Sequence, residues 1–416
     1  MIQLPDLDAF DISPTLGFLS NQPPRPSFSD PHFAQLDEVA ASLPELIATG
    51  SLRQKLDSLP YLDPIHLSSE GDYRRAYVVL GFLIHAYVWG GPKESAPLGT
   101  IPPQIAEPFL AVCERLGTEP VLSYAGLCLW NWASKDGAAP SPGGFFELDD
   151  LQPMGSFTGG RGEAAFYHVP VLIEAEGGPL VPLLLEAVAA TGRSDSDQAT
   201  KALIKGTAII ERMKQHLSKL YTTLDAGMFY HELRPFLSGG KGMEDKGLPR
   251  GFVFQRRGGS EQEVHCIGGS AAQSSLFQFL DIVLGVQHEP MGRNSETLFH
   301  EMRAYMPGKH REFLESVSKL PSLRSYVQQN AGNISLHNAY NECVKQLRHW
   351  RGSHIAVVSK YIVRPARLSM GVDQETATDT IEQANLGTGK EDNLQGTGGS
   401  ALIPFLRQSR DETAGV

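Results

Sequence analysis

Apolar residues recur through most of the chain at the spacing of α-helices. Over Phe33–Gly91 they fall three and four positions apart, as at Leu36, Val39 and Leu43, which places them on one face of a helix. Over Tyr73–Trp89 most positions are apolar, and such a pattern predicts a helix that is buried on all sides.

The same periodicity continues to the end of the chain with few strand signals, so the sequence predicts a mainly α fold. Further helices are predicted over Ile105–Leu116, Val121–Trp132, Phe166–Glu174, Leu180–Thr191, Asp195–Leu224, Ala271–Val286, Leu298–Tyr305, His310–Lys319, Ser335–Tyr361 and Ala401–Arg410. The stretch Lys135–Gly144 is rich in glycine, proline and serine, and a glycine cluster follows at Gly159–Gly162. We therefore expect a small helical domain over residues 1–150 and a large all-helical domain over residues 151–416. The polar, glycine-rich residues 371–399 predict a mobile loop.

Composition and charge narrow the class of partner. The chain has 416 residues and a net charge of −11, and it has no basic stripe of the kind that binds nucleic acid. Its longest apolar runs are shorter than the roughly 20 residues of a membrane span. Four cysteines lie far apart, without the spacing of a zinc site. We expect a cytoplasmic monomer that acts on a small molecule, with neither nucleic acid nor a membrane as partner.

His354 is the first residue with candidate chemistry. It lies in the apolar stripe of the predicted helix Ser335–Tyr361, so its side chain should face inward. Such a histidine is either a core residue or a ligand of a haem iron. Arg351, one turn earlier, could face a haem propionate, pair with an internal carboxylate such as Asp281, or lie in solvent.

Three further segments have both a functional and a purely structural interpretation. Phe229 and Tyr230 precede Arg234 by about one turn, so aromatic rings could pack on a flat ligand while the guanidinium grips a carboxylate; a helix end with a surface arginine is the alternative. The small residues of Gly268–Ser275 permit close approach of a ligand, or form a flexible loop with a serine cap. Gly396–Ser400 reads alone as a turn. No hydrolase or zinc-enzyme motif is present in the sequence.

Together these segments resemble the indoleamine 2,3-dioxygenase family over nearly the full length of the chain. The resemblance is carried by Ala86–Gly90, Tyr124–Trp132, Phe229–Gly242, Gly268–His288, Met302–Pro307, Arg351–Tyr361 and Gly396–Ser400. It implies a small N-terminal helical domain that covers the distal side of a large helical domain holding haem b. It also implies the insertion of O2 across the indole C2–C3 bond of tryptophan to give N-formylkynurenine, the first step towards kynurenine and NAD.

The resemblance assigns residues to the cofactor side of the site. His354 looks like the proximal ligand of the iron. Arg351 and Asp281 would form a pair that supports the haem. Ser270 and Ala271 would lie at the haem edge, within reach of both cofactor and substrate.

Other residues are assigned to the substrate by the same resemblance. Arg234 looks like the clamp on the substrate carboxylate, and Phe229 like the ring that packs on the indole, with Tyr230 beside it. Thr397 would close over the substrate from the predicted mobile loop, and with Arg234 and Phe229 it is expected to act in catalysis. The distal pocket would be lined by Tyr124, Leu127 and Phe166.

The sequence departs from the animal members of the family at two places. Pro170 stands where those members carry a small hydroxyl residue, and His168, two residues earlier, could reach the distal pocket and bond the indole N–H. The segment Gly251–Cys266 also differs, which could change substrate access. A non-catalytic haem-binding or signalling protein, and a haem dioxygenase for another indole amine, therefore stay open as alternatives.

Overall fold

The computed structural model describes residues 2–92, 95–137, 147–290, 297–369, 371 and 402–415. The mainly α fold predicted from the sequence is confirmed. The α-helices are α1 Ala34–Ala41, α2 Leu43–Ala48, α3 Leu52–Asp57, α4 Glu70–Trp89, α5 Pro103–Leu116, α6 Arg161–Gly177, α7 Leu180–Thr191, α8 Ser196–Leu217, α9 Leu220–Thr223, α10 Ala226–Met228, α11 Ser275–Leu284, α12 Leu298–Arg303, α13 Gly308–Val317, α14 Leu323–Gln329, α15 Ile334–Val358, α16 Arg364–Ser369 and α17 Leu402–Ala414.

Short helical turns and strands connect these helices. The 3₁₀ turns are Asp8–Phe10, Pro31–Phe33, Pro64–His66, Leu148–Asp150, Arg234–Leu237, Glu244–Lys246 and Ala271–Gln273, and the π-helical turns are Ala125–Leu129, Phe229–Leu233 and Ser359–Val363. The strands are β1 Thr100–Ile101, β2 Ala133–Ser134, β3 Leu151–Gln152, β4 Phe252–Gln255 and β5 Glu261–Val264. Strand β4 lies between β1, which is parallel to it, and β5, which is antiparallel; β2 and β3 form a separate antiparallel pair.

Helices α8 and α15 form the centre of the C-terminal part of the molecule. They pack on one another along much of their lengths, and α6, α7 and α17 pack around them. Helix α4 is buried from Ala76 to Val88, as its nearly continuous apolar sequence predicts. No helix in the described ranges is long and apolar enough to cross a membrane.

The two predicted domains meet along a continuous apolar core. One cluster of buried side chains runs from Ile12 to Tyr361, and the β1–β4 pairing joins Thr100 to Val253. The division at residue 150 stays a prediction. Of the predicted loop 371–399, all but Gly371 lies outside the described residues.

The region Val121–Trp132 differs from its predicted helix. Only Ala125–Leu129 is helical there, and it forms a π-helical turn. The side chains of this region are nevertheless buried, because the apolar residues that suggested a helix pack against α4 and α6 from an irregular backbone.

Candidate active site

An apolar cavity lies between α6, α15, α17 and the loop that precedes α11. Its volume is about 220 Å³, whereas a single water molecule needs only about 10–15 Å³ by the same measure. The wall combines Tyr124, Leu127, Cys128, Phe166, Val169, Pro170, Ile173, Phe229, Arg234, Gly269, Ser270, Ala271, Ser274, Phe277, Trp350, His354, Val357, Tyr361, Leu402, Phe405 and Leu406, among others. The cavity is therefore large enough for an organic ligand.

Each π-helical turn in the described part of the chain contributes to this wall. Ala125–Leu129 supplies Leu127, Phe229–Leu233 supplies Phe229, and Ser359–Val363 supplies Tyr361. A π-helical turn shifts the side chains that follow it around the helix axis, and such turns are frequent at functional sites.

His354 projects from α15 into the cavity. Its ring stacks on Trp350, with centroids 5.5 Å apart and planes at 15°, and Trp350 stacks on Phe277 at 3.9 Å and 29°. The imidazole forms no hydrogen bond within the described ranges. Burial, with a smaller contribution from Arg351, lowers the pKa of His354 to about 4. The ring is thus neutral near pH 7, the form in which histidine binds a metal.

Arg351 and Asp281 form a buried ion pair beside His354. Both carboxylate oxygens of Asp281 lie 2.7 Å from Nη2 of Arg351, and each side chain is less than a tenth exposed. His288 Nε2 lies 3.0 Å from Asp281, and the other ring nitrogen lies 2.5 Å from Glu412. Neither Arg351 nor Asp281 borders the cavity. The pair joins α11 to α15, and His288 links it to Glu412 of α17. Its support of the haem stays a prediction.

Phe229 and Arg234 lie on the cavity wall, one turn apart. The ring of Phe229 lies 4.9 Å from that of Phe166. Burial lowers the pKa of the Arg234 guanidinium, but its ordinary value is so far above neutrality that the group stays cationic. Tyr230 does not border the cavity, and its role in substrate binding stays a prediction. Its ring lies 5.4 Å from the guanidinium carbon of Arg234.

The Gly268–Ser275 loop approaches its neighbours too closely for larger residues. A Cβ on Gly268 would overlap the carbonyl oxygen of Leu237, and one on Gly269 would overlap the side chain of Leu127. Ser270 then caps the 3₁₀ turn that follows, with its hydroxyl accepting from the Ala272 N–H at 3.3 Å. Ser270 and the adjacent Ala271 both border the cavity, where the sequence predicted them.

Helix α6 presents Phe166, Val169, Pro170 and Ile173 to the cavity, but not His168. The His168 ring is buried on another face of the helix, next to the backbone of Asn131 and Gln152. Helical periodicity explains this, since a residue two positions before Pro170 lies on a different side. His168, which could have reached the distal pocket, is therefore not on the cavity wall. Thr397 lies outside the described residues.

Comparison with known proteins identifies the family. The family model described as Indoleamine 2,3-dioxygenase matches residues 6–416. The chain belongs to the indoleamine 2,3-dioxygenase family. It is 35% identical to an indoleamine 2,3-dioxygenase of Saccharomyces cerevisiae, covering 99% of this chain and 94% of the relative. It is likewise 35% identical to a 6-hydroxytryptophan 2,3-dioxygenase of Fusarium equiseti (98% and 96% covered) and 32% identical to indoleamine 2,3-dioxygenase 2 of Homo sapiens (98% and 94%).

The indoleamine 2,3-dioxygenase family consists of haem-dependent oxidoreductases, and the cavity suits that cofactor. His354 offers a neutral imidazole without a hydrogen bond to any described residue. The surrounding side chains are mostly apolar, as a porphyrin face requires. These two observations make His354 a suitable iron ligand.

Family resemblance did not identify two further parts of the cavity. Trp350 stacks on the His354 ring; its position four residues earlier on the same helix face was the available signal. Helix α17 contributes Leu402, Phe405 and Leu406. Its sequence predicts a helix, but no local pattern indicates that the helix returns to the site.

Proposed function

We propose that this protein is a dioxygenase that binds haem b through His354 and inserts both atoms of O2 across the indole C2–C3 bond of L-tryptophan. The product is N-formylkynurenine, which would feed the kynurenine pathway and NAD synthesis. The observation that carries the proposal is the meeting of His354, Phe229 and Arg234 on the wall of one apolar cavity.

Residues of α15 and the glycine-rich loop would hold the cofactor. Haem supplies the iron that binds and activates O2. Trp350, stacked on His354, would fix the orientation of the imidazole, and the Arg351–Asp281 pair would hold the same turn of α15 in place. Ser270 would border the haem edge.

The substrate would be oriented by its two ends. Phe229 and Phe166 would pack on the indole ring, and Arg234 would grip the carboxylate. Tyr230 would act indirectly, since its ring lies against the guanidinium of Arg234. Because apolar walls exclude water, the contact between guanidinium and carboxylate would be stronger than in solvent. Thr397, Leu127 and Tyr124 keep the roles predicted from the sequence.

The experiment that tests the proposal is turnover with labelled oxygen. Purified protein is loaded with haem, reduced, and incubated with L-tryptophan and ¹⁸O₂, and the product is analysed by mass spectrometry. We expect N-formylkynurenine that carries two labelled oxygens. If none of the indole amines changes the absorption spectrum of the haem-loaded protein, and no product forms, the catalytic proposal fails. A non-catalytic haem-binding role then replaces it.

A second candidate substrate is an indole amine other than tryptophan. Pro170 places a ring without a hydroxyl on the cavity wall, where animal members carry a hydroxyl residue, and one relative is named a 6-hydroxytryptophan 2,3-dioxygenase. A panel of ring-hydroxylated tryptophans and tryptamine, compared by kcat/KM, distinguishes the two. A higher value for a hydroxylated tryptophan would replace L-tryptophan as the proposed substrate.

The proposal includes the organisation of the chain. Residues 1–150 would form a domain over the distal side and residues 151–416 the haem-binding domain, in a cytoplasmic monomer. Tyr124, Leu127 and Cys128, from the first part, support this division by bordering a cavity otherwise built from the second. Light scattering coupled to size-exclusion chromatography tests the monomer.

A further inference from the structure

Helix α6, which forms one wall of the cavity, buries three glutamates. Glu163 and Glu174 are fully buried, and Glu176 is 4% exposed. A carboxylate loses its hydration when it is buried, so each must either be matched by strong donors or hold a proton. The partners of the three side chains differ in a way that separates these two cases.

Glu163 and Glu176 each have at least one partner that can only donate a hydrogen bond. Glu163 accepts backbone N–H groups from Phe157 and Thr158, each at 2.7 Å, with further donors on both oxygens. Glu176 accepts from Nε of Arg212 at 2.7 Å. An N–H group or a guanidinium cannot accept a proton in return. Both side chains are therefore matched by groups that can only donate.

Glu174 has neither kind of partner. Its Oε1 accepts from the hydroxyls of Tyr124 at 2.9 Å and Ser274 at 2.7 Å, and its Oε2 has no partner within the described ranges. A hydroxyl serves as donor or acceptor, so it suits a neutral acid as well as an anion. An unpartnered oxygen costs far less on a neutral acid than on a buried carboxylate. Burial, only partly offset by the two hydroxyls, raises the pKa of Glu174 to about 7.

The groups around Glu174 connect it to the cavity. Tyr124, Ser274 and Cys128 border the cavity, and Glu174 lies directly behind them. The titratable groups that interact with Glu174 are Tyr124 and Cys128, and burial followed by Glu174 raises the pKa of the Cys128 thiol. No charged side chain from the described parts of α8, α9 or the other elements packed on α6 acts on the pKa of Glu174. The backbone N–H of Tyr124 also donates to Gln273 at 2.9 Å, so the network reaches the glycine-rich loop.

We propose that Glu174 is a positioning residue that holds a proton near neutral pH, fixes Tyr124 and Ser274 in the cavity wall, and weakens the binding of anionic ligands when it ionises. The last part rests on the proposed function, in which an indole ligand places its carboxylate in this cavity. Ionisation would place an uncompensated negative charge behind the wall. Two unit charges about 10 Å apart at an effective dielectric constant of about 20 repel enough to weaken binding roughly ten-fold, and we expect an effect of that order.

The first test measures the proton directly and needs no cofactor. Infrared spectra of the haem-free protein are recorded at about pH 6 and about pH 8, on either side of the Glu174 pKa of about 7. We expect the carbonyl stretch of a protonated carboxylic acid at the lower pH, its loss at the higher pH, and its absence from Glu174→Gln. Glu163→Gln is the matched control, a buried glutamate on the same helix, and it should keep the band. No such band in the wild-type protein at the lower pH overturns the proposal, whether or not the variants fold.

The second test measures the consequence for binding in the haem-loaded protein. The Kd of indole-3-propionate, an indole anion without an ammonium group, should rise roughly ten-fold between about pH 6 and about pH 8 in the wild type and stay flat in Glu174→Gln. Indole, which has no carboxylate, should show no such change in either protein. A flat indole-3-propionate profile in a wild-type protein that shows the infrared band overturns the coupling. If neither ligand binds, the proposed function fails, whereas the infrared result still decides the protonation of Glu174.

Discussion

Replacing Asp281 by alanine should destabilise the fold strongly. Asp281 is 4% exposed and Arg351 6%, so the substitution leaves a guanidinium in the interior without its carboxylate, and it also removes a partner of His288. Breaking a buried pair from one side costs about 3–5 kcal/mol, a large part of the roughly 5–15 kcal/mol by which a typical protein is stable. Urea unfolding of the haem-free protein, followed by circular dichroism, measures this loss.

An exposed ion pair provides the matched control. Asp149 lies 3.1 Å from Arg161, and each side chain is 74% exposed, so Asp149→Ala should cost no more than about 1 kcal/mol. Asp281→Ala differs from it only in burial and in the number of partners lost. A cost for Asp281→Ala as small as that for Asp149→Ala would refute the reasoning, since it would mean that water reaches Arg351 in the folded protein.

Three further predictions concern the cavity. His354→Ala should fold normally but fail to bind haem stoichiometrically, as measured by the Soret absorbance per mole of protein; retention of the wild-type spectrum would exclude His354 as ligand. Arg234→Ala should raise the KM for L-tryptophan about ten-fold or more, the value of a charge-assisted contact of about 1.5–3 kcal/mol, and leave indole binding unchanged; an unaltered KM would remove Arg234 from the site. Because Pro170 has no N–H, it cannot donate to the carbonyl of Phe166, four residues earlier in α6. We expect that carbonyl to accept the indole N–H of the substrate. Pro170→Ala should therefore reduce the preference for tryptophan over its N-methylated analogue, whereas Pro108→Ala, in the interior of α5, should not; equal effects of the two substitutions would argue against that acceptor.

Helices with a strong apolar period could be predicted closely from the sequence. Leu180–Thr191 has the predicted bounds, and α5 and α15 begin within two residues of theirs. The apolar pattern predicts less well where apolar side chains do not reach the core. In α8, Leu203 and Ile204 are both apolar, yet Leu203 is fully buried and Ile204 is 58% exposed. The apolar pattern within one helix cannot predict the exposure of a single side chain, because exposure depends on which neighbouring helices cover each turn.

The candidate site could be predicted only through resemblance. Periodicity alone could not decide whether His354 is a core residue or an iron ligand. The presence of the other family segments in the same chain favoured the ligand. Phe229 and Tyr230 are adjacent aromatic residues in the sequence, and only Phe229 borders the cavity. The sequence gives no local sign of the π-helical turn that contains both. Glu174 looks like an ordinary helical glutamate. Its burial arises from Tyr124 and Ser274, which come from segments 50 residues before it and 100 residues after it.

Asp281 and Glu174 show two opposite ways to bury a carboxyl group beside one cavity. Burial alone would raise the pKa of Asp281, but Arg351 and His288 more than offset it, so the pKa is lowered. The stability that Asp281 contributes is therefore present above the pKa of the unfolded state, near 3.9, and is lost as the pH falls through the lower pKa of the folded state.

Glu174 has a raised pKa, so its contribution to stability depends on pH in the opposite direction. It is fully present below the pKa of the unfolded state, near 4.3, and is lost as the pH rises through the folded pKa of about 7. A fall in pH should first protonate Asp281 and weaken its pair with Arg351. Arg351 also joins α15 to α17 through its contacts with Ser409 and Thr413. A rise in pH should first ionise Glu174, on the α6 side of the cavity. The cavity is consequently most complete between these limits, with Asp281 ionised and Glu174 neutral.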